Sequence, residues 1–184
     1  SSLSRSLGRV FTQKLLEYSP EEEIIYRDVG ESPPAFISHE WIGAVFTPDN
    51  KRTEQQKQLL SQSDALIDEL VRAELIVIST PMYNYGMPAA LKAWFDQVVR
   101  VNKTFTFDLS RGDFPLEPTL SEKTMVLITS AGEFGEISSE YQEFNDMRHQ
   151  NSYSNALRKL HFLAKELADG NNHNIFIDKR LKTI

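Results

Sequence analysis

Two stretches of this chain combine residue types and spacing that suit binding chemistry. The first is Ser1-Ser2-Leu3-Ser4-Arg5-Ser6, a hydroxyl-rich run that leads straight into a segment of helical apolar spacing. A helix N-terminus offers backbone N–H groups without intrahelical partners and a partial positive charge, and serine hydroxyls add donors. Such an end suits a phosphate monoester; an ordinary helix cap is the commoner use of serines placed so. The second stretch is Pro81-Met82-Tyr83-Asn84-Tyr85-Gly86-Met87-Pro88. Its prolines restrict a loop that presents tyrosines, methionines and an asparagine. A flat heteroaromatic ring would find apolar and aromatic faces there, with backbone N–H groups and the Asn84 amide at its polar edge. A packed loop with Met82 and Tyr83 in the core accounts for the same residues.

Other chemistries lack their residues. Cysteine is absent, which removes disulfides, thiolate catalysis and Cys-ligated metal clusters. His39, His149, His161 and His173 are scattered with no pair at ligand spacing, so no metal site is expected. Neither the dinucleotide glycine fingerprint nor the P-loop is present, and no Gly-x-Ser-x-Gly elbow marks a hydrolase. Lys92 and Asp96 lie one helical turn apart, a spacing for a surface ion pair.

The composition is that of an ordinary globular protein. Of 184 residues, 40% are hydrophobic and 25% charged, and 20 Lys+Arg stand against 26 Asp+Glu for a net charge of −6. That length predicts one compact domain. The acidic balance argues against nucleic acid and anionic membrane as partners, since phosphate backbones and lipid headgroups call for clustered Lys/Arg. No apolar run approaches the ~18–20 residues that cross a bilayer, and the first residues do not read as a signal peptide. A cytoplasmic location is the expectation.

The elements that must carry the two stretches follow from periodicity. Residues 4–18 space Leu7, Val10, Phe11, Leu15 and Leu16 as a helix ending at Ser19-Pro20. Residues 23–29 read as a short strand closed by Gly30, and residues 31–50 as irregular chain. Thr53-Glu54-Gln55-Gln56 is a capping box that opens a helix running to Ala73. Residues 75–80 and 124–129 are continuously apolar and β-branched, as strands covered on both faces by helices should be. Pro88 suits the first position of a helix carrying Leu91, Trp94, Phe95, Val98 and Val99. Residues 104–107 alternate, residues 136–141 form a weak strand candidate, and Ala156 to Leu167 define a last helix. The tail, residues 171–184, with Ile175-Phe176-Ile177, fits either an edge strand or a partner contact. Helices alternating with such strands predict an α/β fold with a parallel sheet and helices on both faces. Ligands bind outside the carboxyl ends of the strands in these sheets. The loops after the two strongest strands, 81–87 and 130–135, are therefore where function is expected.

Pro81-Met82-Tyr83-Asn84-Tyr85, then Leu91-Lys92-Ala93-Trp94-Phe95-Asp96 and Thr104-Phe105, resemble the FMN-dependent NADH:quinone oxidoreductases, also called azoreductases. Ser2-x-Ser4 before the first helix, Ser63-Asp64 within the Leu60 to Leu70 helix and Thr129-Ser130-x-Gly132 agree with that pattern. The resemblance implies a flavodoxin-like, doubly wound parallel sheet and an enzyme in which FMN carries the chemistry. Electrons would pass from NADH or NADPH to a quinone or azo acceptor by a ping-pong mechanism. It implies that Ser2, Leu3 and Ser4 hold the FMN phosphate, that Met82, Tyr83, Asn84 and Tyr85 line the isoalloxazine, and that Ser130, Ala131, Gly132 and Glu133 close its other side. Asn84, Tyr85 and Phe107 would meet the acceptor, and the protein would be a homodimer. Set against the family pattern, the strand leading into the serine loop and a segment near residues 135–141 are absent from the chain as read. A flavodoxin-like carrier of single electrons and a flavin-free binding protein of the same fold are the competing readings.

Overall fold

The computed structural model describes residues 2–84, 86–120, 123–131 and 174–178. In chain order the helices are α1 (Leu3–Tyr18), α2 (His39–Phe46), α3 (Glu54–Arg72) and α4 (Ala89–Val98). The strands are β1 (Leu75–Pro81), β2 (Phe105–Phe107), β3 (Leu116–Pro118), β4 (Thr124–Ala131) and β5 (Asn174–Asp178). They fall into two compact units. One comprises the described parts of Ser1–Ile24, Val77–Met87 and Val126–Lys179; the other those of Ile25–Ile76, Pro88–Met125 and Arg180–Ile184.

The strands with continuous apolar runs form the sheet, in the order β1-β4-β5. β1 and β4 run parallel: the Thr124 N–H donates to the Glu74 carbonyl at their starts (2.9 Å), and the Met82 N–H to the Ser130 carbonyl at their ends (2.8 Å). Val126 and Ile128 of β4 are fully buried. In the first unit, α1 turns Leu7, Phe11 and Leu15 into the interior, the i, i+4 stripe that its sequence spells out. The second unit holds two apolar clusters, one of Trp41 and Ala44 with Leu60, the other of Leu66 and Ile67 with Val98.

The capping box forms as the sequence predicts. Thr53 Oγ1 accepts from the Gln56 N–H at 3.2 Å, while Gln56 Oε1 accepts from the Thr53 N–H at 3.0 Å. Thr53→Ala removes one of these bonds and destabilises the protein by about 1 kcal/mol. Urea unfolding measures this directly, and an unchanged midpoint would show that α3 starts without its cap. Lys92 and Asp96 pair on α4 as their spacing implies.

Four expectations change. Residues 23–29 form no strand. Residues 22–28 have no regular structure, because no neighbouring strand among the described residues pairs with them as a ladder. Ile24, Ile25 and Tyr26 stay exposed, and Arg27 instead grips Glu69 of α3, with Nε 3.2 Å from the carboxylate. Glu69 in turn holds the Arg27 guanidinium above its ordinary pKa through that hydrogen bond. Residues 31–50 are not all irregular, for they contain α2. Ser38 caps it by accepting from the Trp41 N–H at 3.2 Å, and Trp41 and Ala44 bury against Leu60. The Glu40 backbone N–H, then the Ser38 hydroxyl, keep the Glu40 carboxyl below its usual range at this helix start. Pro88 is the N-cap of α4 and Ala89 its first residue. Finally, the described sheet is not wholly parallel: the tail run Ile175-Phe176-Ile177 lies in β5, which pairs antiparallel with β4 in the register Ile128↔Ile177. The alternating residues 104–107 do enter a strand, β2, which pairs antiparallel with β3 as a hairpin of its own. The expected strand at 136–141 and the helix from Ala156 to Leu167 lie outside the described residues.

Candidate functional site

The first unit brings together the N-terminus of α1 and the exits of β1 and β4. Ser2 is the N-cap of α1, in extended conformation, and its Oγ accepts from the Arg5 N–H at 3.4 Å. The Ser2 carbonyl takes the Ser6 N–H (3.0 Å) and the Ser6 hydroxyl (3.1 Å). That N–H closes the first intrahelical bond, so those of Leu3 and Ser4 have no partner within the helix. Ser4 is buried, and its Oγ lies 3.2 Å from Ser2 Oγ. Two hydroxyls and two open N–H groups thus converge on the positive end of a four-turn helix, an arrangement for a dianion rather than for an apolar group.

β1 delivers the second stretch. Beyond Pro81, Met82 is tied to Ser130 at the end of β4. Tyr83 and Gly86 then exchange both backbone hydrogen bonds, at 2.9 and 3.0 Å, closing a tight two-residue turn. Asn84 occupies that turn with φ +48°, in the left-handed region that asparagine tolerates and β-branched residues do not. The turn stands out from the sheet edge with Tyr83 61% exposed, so Tyr83 is not a core residue; Met82 is half-buried.

Of the residues that the sequence singles out, Ser2, Leu3, Ser4, Met82, Tyr83, Asn84 and Ser130 lie in this one unit. Ala131 is there as backbone of β4. Tyr85, Gly132 and Glu133 lie outside the described residues. Phe107 belongs to the other unit, on the β2–β3 hairpin, where it is 53% exposed opposite Leu116. That hairpin is fastened at its base by the Thr119 N–H to the Thr104 carbonyl (3.0 Å) and at its tip by the Asp108 N–H to the Pro115 carbonyl (2.9 Å). Asp108 also accepts from Ser110, whose hydroxyl and N–H hold its carboxyl below the ordinary aspartate value.

Two residues that the sequence reading passed over stand at the centre of this unit. Ser79 on β1 donates its hydroxyl to the Ser4 carbonyl, and Gly8 of α1 packs directly on Ser79. The available signals were a glycine inside an amphipathic helix and a hydroxyl at the end of an apolar strand.

Comparison with known proteins bears on what this arrangement binds. The family model described as Flavodoxin-like fold matches residues 1–163. A protein of Colwellia psychrerythraea named FMN-dependent NADH:quinone oxidoreductase 2 is 52% identical over 197 aligned positions, covering 91% of this chain and 90% of that protein. Its namesake in Idiomarina loihiensis is also 52% identical, covering 91% of this chain and 82% of the other. Among solved structures, a Bacillus anthracis FMN-dependent NADH-azoreductase in complex with FMN superposes with a TM-score of 0.65 at 18% identity, over 91% of this chain and 92% of that one. At that identity the superposition speaks for the fold.

Proposed function

Because the chain belongs to the flavodoxin-like family of FMN-dependent NADH:quinone oxidoreductases, we propose that it binds FMN and moves two electrons from NADH or NADPH to quinones and azo compounds. The observation that carries this reading is the first unit itself. The hydroxyls of buried Ser4 and half-buried Ser2 at a helix N-terminus lie in one unit with the Tyr83–Gly86 turn and the paired ends of β1 and β4.

The residues present fit FMN. Its phosphate carries two negative charges at neutral pH, which match the two hydroxyls and the open N–H groups of Leu3 and Ser4. Ser2, Leu3 and Ser4 are its holders. Met82, Tyr83, Asn84 and Tyr85 would line one side of the ring system, and Ser130, Ala131, Gly132 and Glu133 would close the other. When bound, FMN supplies hydride acceptance from the nicotinamide and two-electron delivery to the acceptor. The protein orients the ring, gives its polar edge fixed partners and keeps an apolar face for the second substrate. Asn84 and Tyr85 would receive that acceptor by hydrogen bonding and stacking. The net reaction, NADH + H⁺ + quinone → NAD⁺ + hydroquinone, balances with one proton taken from solvent. No acid–base side chain is called for, in keeping with a site that carries hydroxyl, amide and aromatic groups.

Among the described residues no helix is long and apolar enough to cross a membrane. We place the enzyme in the cytoplasm as a homodimer. With donor and acceptor taking turns at one site, as this reading has it, initial-rate plots against NADH at several benzoquinone concentrations would be parallel lines. Converging lines would mean that both substrates bind together and would overturn the ping-pong order.

A further inference from the structure

We infer that Gly8 and Ser79 are positioning residues for the flavin phosphate: together they set the depth and height at which the N-terminus of α1 meets the exit of β1. The inference rests on the reading that Ser2, Leu3 and Ser4 hold that phosphate. Ser4 and Gly8 are four residues apart and therefore share a face of α1. Ser79, in the first unit with them, meets both. Its hydroxyl donates to the Ser4 carbonyl, an oxygen that the helix also offers to the Gly8 N–H. A Cβ built on Gly8 would stand 3.0 Å from both Cβ and Oγ of Ser79. That is tighter than nine in ten real Cβ contacts, so α1 or Ser79 must give by a few tenths of an ångström, and the obstacle is a short side chain rather than the end of a flexible one. Glycine inside a helix is unfavourable relative to alanine, so its presence at the contact calls for a packing reason, and close helix–strand approach is that reason. Gly8 thus fixes how near α1 lies to β1, and the Ser79 hydroxyl fixes where along β1 its first turn stops. Three residues beyond Ser79, the Met82 N–H is anchored to Ser130. The phosphate end and the ring end of the site are thereby held by one strand.

The test compares dissociation constants for FMN and for riboflavin, which has the same ring without the phosphate, in buffer free of phosphate and sulfate. Gly8→Ala pushes α1 off β1 and weakens FMN about 10-fold, the scale of one misplaced hydrogen bond to a charged group, while riboflavin affinity stays within about twofold. Ser79→Ala removes only a hydroxyl and gives a smaller loss of the same selective kind; it keeps the test open should Gly8→Ala fold poorly. A loss shared equally by FMN and riboflavin, or no loss of either, overturns the inference, because general loosening of the fold moves both ligands alike. Ser2→Ala/Ser4→Ala separates the two levels. If that double variant leaves the FMN-to-riboflavin ratio unchanged, the phosphate reading itself falls and takes the inference with it. If it lowers the ratio while the Gly8 and Ser79 variants do not, the positioning inference alone is wrong.

Discussion

Replacing Ser2 and Ser4 together by alanine weakens FMN binding by about 100-fold. The estimate follows from the donors removed. A hydrogen bond to a charged group contributes about 1.5–3 kcal/mol, and on the proposed reading two hydroxyls 3.2 Å apart would act on one phosphate. The lower end of that range for the pair is about 3 kcal/mol, and each 1.4 kcal/mol is tenfold in affinity. The open N–H groups of Leu3 and Ser4 remain, so binding is reduced rather than abolished. Ser2 is also the helix cap, and its loss alone costs about 1 kcal/mol of stability. Flavin fluorescence quenching gives the affinity and thermal unfolding the stability, so the two effects are read separately. Unchanged FMN affinity at reduced stability would reduce the serines to capping residues.

The second large effect lies in the other unit. Arg100, just past the C-cap of α4, is 2% exposed, and its Nη1 donates to Ser63 Oγ (2.8 Å) and Asp64 Oδ1 (2.9 Å) on α3. Ser63 Oγ in turn donates to the Gln97 carbonyl at 2.5 Å. The Arg100 N–H donates to Thr104 Oγ1 at 3.0 Å, and the Arg100 carbonyl accepts from the Thr104 N–H at 3.0 Å. Arg100 therefore holds α3 through its guanidinium and the turn into the β2–β3 hairpin through its own backbone, while Ser63 links the same site to the end of α4. Asp64→Ala leaves that buried cation without its counter-charge, a change that costs about 3–5 kcal/mol when both partners are deeply buried. The Asp64 side chain is 42% exposed, and water reaches the vacated place. The expected loss is therefore about 2–3 kcal/mol, read as a fall in the urea midpoint. Asp64→Asn keeps an acceptor and loses less. Equal stability of Asp64→Ala and wild type would show that Arg100 is solvated well enough to need no partner.

How far the sequence led can be argued from these same elements. The capping box at Thr53, the amphipathic face of α1 and the double-sided strands β1 and β4 were legible because each is decided by residues within a few positions of one another. The Ser2-x-Ser4 and Pro81-Met82-Tyr83-Asn84 stretches stood out for the same reason. α2 was not legible: eight residues are too few for periodicity to speak, and it is the packing of Trp41 and Ala44 on Leu60 that settles the helix. The strand expected at 23–29 failed in the opposite way. Its apolar residues are those of a strand, but a ladder needs a second strand and the sequence of one cannot supply it. The antiparallel pairing of β5 and the contact of Gly8 with Ser79 are likewise decisions between distant parts of the chain. The Tyr83–Gly86 turn lies between these extremes. Its residues marked a loop between prolines, yet the positive φ of Asn84 and the closing pair of hydrogen bonds came only with the structure.

On the proposed function the protein binds FMN and passes electron pairs from a nicotinamide to a quinone. The most direct test is an anaerobic titration of the FMN-loaded protein with NADH, followed by benzoquinone, read in the visible spectrum. We expect the flavin absorbance to bleach in one step with one NADH per bound FMN, and to return in full on adding one equivalent of benzoquinone. A protein that takes up no FMN, or a bound flavin that NADH leaves oxidised, would contradict the account.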